Sequence, residues 1–167
     1  TPAANYNGTV PQVTYDIVDD NDATDTAQST LDISVDPVID AMTDGNESVT
    51  IDEDSGETTG NLFANLTDAD SASHSITGAT VDQNGDGTPT ALTLGTPTAI
   101  TDNGGNPIGS ITVNSDGTYA FTPAANYNGT VPQVTYDIVD DNDATDTAQS
   151  TLDISVDPVI DAMTDGN

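Results

Sequence analysis

The sequence predicts an all-β domain, a many-stranded sandwich or barrel, and three observations carry that reading. Short runs in which Val, Ile, Leu and Tyr alternate with polar residues are separated by Gly, Pro and Asn, with no helical stripe among them. Residues 1–46 return unchanged at residues 122–167, a shift of 121 positions (122 minus 1), so one repeating unit has the length of an ordinary single domain. Finally, 29 acidic residues, all but three of them Asp, face no Lys or Arg, giving a net charge of −29. Identical copies at a fixed offset imply a piece of a tandem array: the tail of one repeat, one whole repeat, and the connector to the next. Identical units cannot each bind a different partner, but they can all add length.

Taken in order, Val13, Tyr15 and Ile17 alternate with polar neighbours over residues 11–20 and predict a strand. After a turn through Asp19, Asp20, Asn21 and Asp22, Leu31, Ile33 and Val35 predict a second. These two form a hairpin that would close a sandwich, and a hairpin alone is marginal in water. Residues 1–36 are therefore expected to be the C-terminal hairpin of a preceding repeat, either disordered or exchanged into a neighbouring molecule. Residues 37–46 read as a connector and residues 47–157 as one complete sandwich, with residues 158–167 opening the next connector. Inside the sandwich, strands are expected at 48–52, 61–67, 75–81, around Leu92 and Leu94, and at 98–101, 108–113, 118–122, 134–139 and 151–157. Tyr127, in the loop just ahead of a strand, reads as a structural tyrosine corner.

The charge balance excludes partners that need a basic surface, since such a chain repels nucleic acid and anionic membranes. Its self-repulsion also works against compaction. The preference for Asp over Glu suggests compact oxygen clusters around a hard cation such as calcium, a generic acidic surface being the alternative. With no Cys for a disulfide and no Lys for an isopeptide crosslink, metal is the remaining device for toughening such a module.

Strand parity places the acidic groups. If the first strand of the sandwich runs down and the second up, Asp68 and Asp70 reach the same end as Asp140 and Asp141, where the connector brings Asp36, Asp40 and Asp44. Glu53, Asp157 and Asp161 fall at the other end. Carboxylates of two domains and a linker would then meet at each junction around calcium, unless each cluster is a separate solvated loop.

Several phrases resemble cadherin-type repeats. Val49-Thr50-Ile51-Asp52-Glu53 looks like their opening strand-then-Glu motif, and Asp68-Ala69-Asp70 like their Asp-x-Asp motif. Val139-Asp140 and the stretch from Ile154 to Asp157 with Asp161 are similar to a later metal-binding Asp and the exit linker. The whole repeat, with Asp116-Gly117-Thr118-Tyr119 and the 122–129 phrase, also resembles the bacterial Ig-like extender repeats of giant RTX adhesins. The resemblance implies an Ig-like sandwich, calcium between successive domains, and a stiff extracellular spacer that adds roughly 40 Å per repeat by strand length. The Asp-Arg-Glu motif of cadherins is absent, and residues 124–129 stand in its place.

Asp82-Gln83-Asn84-Gly85-Asp86-Gly87 fits both the opening of a calcium loop and a hairpin turn, and Thr93 rather than Glu at the twelfth position favours the turn. His74 stands alone in the sequence, which leaves a transition-metal or Ser-His-Asp site unsupported and makes it a surface-loop residue. Paired carboxylates can cleave glycosides, but such clefts need aromatic walls and the chain has seven aromatics in all, five Tyr and two Phe. No enzymatic role is expected. The competing function is a repeat that itself grips a glycan, ice or another surface through calcium.

Overall fold

Alternating apolar and polar residues favour strands, and every regular element among the described residues is a strand. The computed structural model describes residues 1–83 and 87–160, and among them there is no helix, hence none long and apolar enough to cross a membrane. Two units form, Thr1–Asp40 and one that begins at Ala41.

The first unit is a hairpin of β1 (Gly8–Asp19) and β2 (Asp22–Val35), paired from Gly8↔Val35 to Asp19↔Asp22. The loop ahead of β1 is fixed by the Tyr6 hydroxyl, which donates to the Thr9 carbonyl at 2.8 Å. Val13, Tyr15, Ile17, Leu31 and Ile33 all remain exposed.

The second unit is an Ig-like sandwich. Its first sheet holds β3 (Glu47–Asp52), β5 (His74–Val81), β6 (Thr90–Ala91), β10 (Gly129–Thr130), β11 (Val134–Asp140) and β12 (Thr147–Asp157). The facing sheet runs β4 (Thr58–Asn61), β9 (Thr118–Pro123), β8 (Pro107–Val113), β7 (Thr98–Thr101). The long β12 is the axis of the first sheet: β11 and β10 pair along it antiparallel, while β3 joins its last half in parallel with Asp52 opposite Asp157. Tyr136, Ile138, Leu152, Phe121, Leu62 and Ile111 fill the space between the sheets. Tyr127 is structural, as the sequence predicts, but not as a tyrosine corner: its hydroxyl donates forward to the Thr130 carbonyl at 2.7 Å, as that of Tyr6 does to the Thr9 carbonyl in the first unit.

Three further expectations change. The strand expected at residues 61–67 is instead β4 at Thr58–Asn61, because the Asn61 side chain accepts from the Phe63 amide at 2.8 Å and turns the chain, dropping Leu62 into the core. Leu92 is buried, but only Thr90–Ala91 pairs there. The expected connector divides: residues 37–40 fall with the first unit, whereas Met42 is buried in the sandwich core and Thr43 exchanges backbone hydrogen bonds with Thr67 at 2.9 and 2.8 Å.

Ile17 and Ile138 occupy the same place in identical sequence but differ in burial. Ile138→Ala should cost about 2–5 kcal/mol by leaving a cavity, and Ile17→Ala less than about 0.5 kcal/mol. Urea unfolding of the two variants under one set of conditions checks the contrast, and equal losses would contradict it.

Candidate metal centre

Three carboxylates converge where loops leave the strand ends. One oxygen each of Asp68, Asp140 and Asp146 lies within 4.8 Å of the others, and Asp140 and Asp146 are buried. Each is aimed by backbone amides. Asp68 follows β4, and its Oδ1 accepts from the amides of Asp70 (2.8 Å) and Ser71 (3.2 Å), an Asx turn that sets the loop. Its Oδ2 meets His74 Nε2 at 2.9 Å. Asp140 ends β11 and accepts from the Asn142 amide at 2.7 Å. Asp146, just before β12, receives the Met42 amide on both oxygens at 3.1 and 3.0 Å.

The His74 bond, and after it the Asp70 amide, holds the Asp68 carboxyl below the usual carboxylate range. His74 is therefore no surface-loop residue: it opens β5 with a nearly buried side chain. Three carboxylates at this separation repel by about 3 kcal/mol per pair at an effective dielectric of ~20. Three oxygens no more than 4.8 Å apart share a centre within about 2.8 Å of each, close to the 2.3–2.6 Å of calcium–oxygen bonds. The donor set is carboxylate oxygen, suited to a hard cation and poor for zinc or copper. These residues fit calcium.

Of the residues singled out in the sequence, the structure unites Asp68 and Asp140. Asp70 is exposed and contributes its amide to Asp68. Asp141 is exposed and turns to the hydroxyls of Ser73 (2.7 Å) and Ser75 (2.6 Å), which lower its pKa, Ser75 first. Asp36 and Asp40 belong to the first unit and are exposed. Glu53 and Asp157 meet at the far end of β12, as parity predicts: the Glu53 amide donates to the Asp157 carbonyl at 2.8 Å. There Glu53 is buried, accepting from the Val159 amide (2.8 Å) and from Asn128 of the 124–129 loop (3.0 Å). Asp161 lies outside the described residues, as do Asn84, Gly85 and Asp86 of the Asp82–Gly87 motif.

Sequence reasoning missed Asp146. Its signal is position: it closes the loop that Asp140 opens, and the Asp140 amide donates to its carbonyl at 3.1 Å. Also missed was Glu47, which shares a second acidic pocket with Asp44. The buried Tyr136 hydroxyl donates toward Glu47 Oε2, with Asp44 Oδ2 at 3.0 Å and the Leu62 carbonyl at 3.2 Å competing for the same proton. Asp44 Oδ1 is buried without a partner among the described residues. Burial, then the Glu47 bond, pushes the Tyr136 phenol well above its ordinary value. Burial, with the charge of Asp44 adding to it, raises the Glu47 carboxyl.

A protein-family model described as a cadherin-like domain matches residues 37–155. No curated protein matches the chain.

The raised Glu47 carboxyl has a defined pH signature. Its stabilising contribution is complete below the unfolded value of about 4.3 and is lost as pH rises through the higher folded value. Glu47→Gln, a mimic of the protonated form, should melt above the parent at pH 7 and level with it near pH 4. Thermal melts across that range in constant calcium check this; a lower melt at pH 7 would contradict it.

Proposed function

Since the chain belongs to the cadherin-like domain family, we propose that its sandwich is a calcium-stabilised extender repeat of an RTX-type adhesin, outside the cell on a bacterial surface. Cadherin-like domains are typically structural or adhesive modules rather than catalysts, and they generally bind calcium. The convergence of Asp68, Asp140 and Asp146 carries the reading, because the chain has no Lys or Arg and the one imidazole at the cluster, His74, can offset at most one of the three charges. Calcium held by these three carboxylates would cancel their repulsion and lock the loops at one end of the sandwich. The other carboxylates singled out in the sequence, Asp36, Asp40, Asp44 and Asp70 among them, would add ligands where successive repeats meet. Adjacent identical repeats in the same polypeptide are the natural partners, since residues 1–46 and 122–167 are the same sequence. Tandem units stiffened in this way would hold a ligand-binding tip away from the cell for adhesion and biofilm formation.

A ligand that binds only the folded state raises the melting temperature by mass action. Calcium should raise the midpoint by tens of degrees over chelator, and magnesium far less, because magnesium demands a tighter octahedron and sheds water reluctantly. Circular dichroism melts in the three conditions test this, and coincident curves would refute the metal reading. Asp146→Asn should weaken calcium binding on the order of tenfold or more, whereas Asp25→Asn, at the identical position of the first copy, should not. Titration calorimetry measures both variants.

A further inference from the structure

Charge is divided unevenly between the two sheets of the sandwich. Of the 29 acidic residues only Asp102 and Asp116 fall within residues 87–136, and both lie between strands. The four strands of the facing sheet, β4, β7, β8 and β9, contain no charged residue. Its register shows which side chains point away from the core. Ile111 pairs with Phe121 and Val113 with Tyr119, and all four are buried. The residues that alternate with them form the opposite face: Ala120 paired with Thr59 and Thr112, and Ser110 paired with Ala99 and Thr122. These six are small, uncharged and at least partly exposed. The outer face of the first sheet has the contrary character, since the exposed Asp52, Asp137, Asp153 and Asp157 follow the buried Ile51, Tyr136, Leu152 and Val156.

We propose that the uncharged face of the β4–β9–β8–β7 sheet is a lateral contact between copies of this repeat lying side by side. Charge selects that occupant. Two copies, each at −29, repel wherever acidic loops or the first sheet would meet, and on this face a second copy can approach without opposing or desolvating a carboxylate. Small side chains on both partners let the two sheets come close. The face spans about four strands at 4.8 Å by about five residues at 3.3 Å, roughly 300 Å², against about 800 Å² per partner in a stable complex. A single pair is therefore weak. Identical units in one polypeptide repeat the contact, and linked weak contacts add up to a firm one. The repeat then has a second role besides adding length, the bundling of neighbouring arrays.

Disulfide trapping tests this, because a chain without Cys reports only the thiol introduced into it. Ala120→Cys places one at the centre of the face. Thr77→Cys places one on the exposed side of the first sheet, where Thr77 meets the Asp137 carbonyl at 3.4 Å. The full chains are compared at equal concentration, calcium and salt, each rate divided by that of the same thiol with a small neutral disulfide, which removes differences in thiol acidity. Covalent dimers of the Ala120→Cys chain should form at least about tenfold faster than those of the Thr77→Cys chain. Adding Thr112→Glu to the Ala120→Cys chain should remove most of that excess, with an unchanged melting temperature showing the sandwich intact. Thr59→Glu, on the edge strand β4, takes its place if Thr112→Glu unfolds the domain. Equal normalised rates at the two positions overturn the proposal, and so does an excess that the added Glu leaves unchanged. Retention of the parent chain on ice or a neutral polysaccharide, without faster trapping, overturns it in favour of that surface.

Discussion

The chain must hold 29 acidic side chains without one Lys or Arg. Several are held by their own turns. In Asp22–Thr24, Asp116–Thr118 and Asp143–Thr145 one carboxylate oxygen accepts both the amide and the hydroxyl of the Thr two residues on, at 2.6–3.0 Å. The Thr24 and Thr118 hydroxyls, and the Thr145 amide, lead in lowering those three pKa values. Only the short Asp side chain reaches an amide two residues ahead without strain, and Glu is one methylene too long. The preference for Asp, which the sequence alone suggests is a sign of a cation, is therefore in part turn chemistry. The argument for a metal rests instead on the three carboxylates that turn chemistry brings together.

Those three owe their convergence to tertiary structure, and the duplicated sequence supplies the control. In the hairpin, Asp19 pairs with Asp22 across a two-residue turn. In the sandwich the same sequence opens earlier, with Val139↔Thr147 the last pair of the ladder and the Asp140 amide bonded to the Asp146 carbonyl. What the sandwich adds is the Met42 amide on Asp146, the Ser73 carbonyl accepting the Asp141 amide at 3.0 Å, and the Ser73 and Ser75 hydroxyls on Asp141. Identical residues thus form a closed turn or an open acidic loop according to what packs beside them. Local propensity cannot distinguish the two cases.

This explains which parts of the molecule were legible in the sequence. Strands with strict alternation, such as those around Tyr136 and Ile154, were readable because period two and burial agree. Parity then placed Asp68 with Asp140, and Glu53 with Asp157, since the direction of a strand follows from counting. The strand expected across Leu62 and Leu66 failed because two Leu four apart, here one buried and one half-buried, look the same in a strand and in a turn that dips into the core, and the deciding group was the Asn61 side chain. His74 was misjudged for a similar reason. Its partner Asp68 is only six residues away but is brought to it by the fold of the loop between them. Asp146 escaped notice because its role depends on an amide 104 positions distant.

That distant amide shows how a cation would act on more than its own ligands. Asp146 faces the acidic cluster while holding the Met42 amide, and Met42 is the first buried residue of the sandwich. Thr43 continues the attachment through Thr67, next in sequence to Asp68, and Asp44 and Glu47 extend it to Tyr136. Without a cation, repulsion from Asp68 and Asp140 favours any movement of Asp146 away from them, and such movement releases Met42. With one, Asp146 would stay in place, its carboxylate holding the Met42 amide by a charge-assisted hydrogen bond. Cation binding and attachment of the incoming chain would then be coupled through a single carboxylate. In a tandem array that coupling would stiffen the path between domains without a separate interdomain contact.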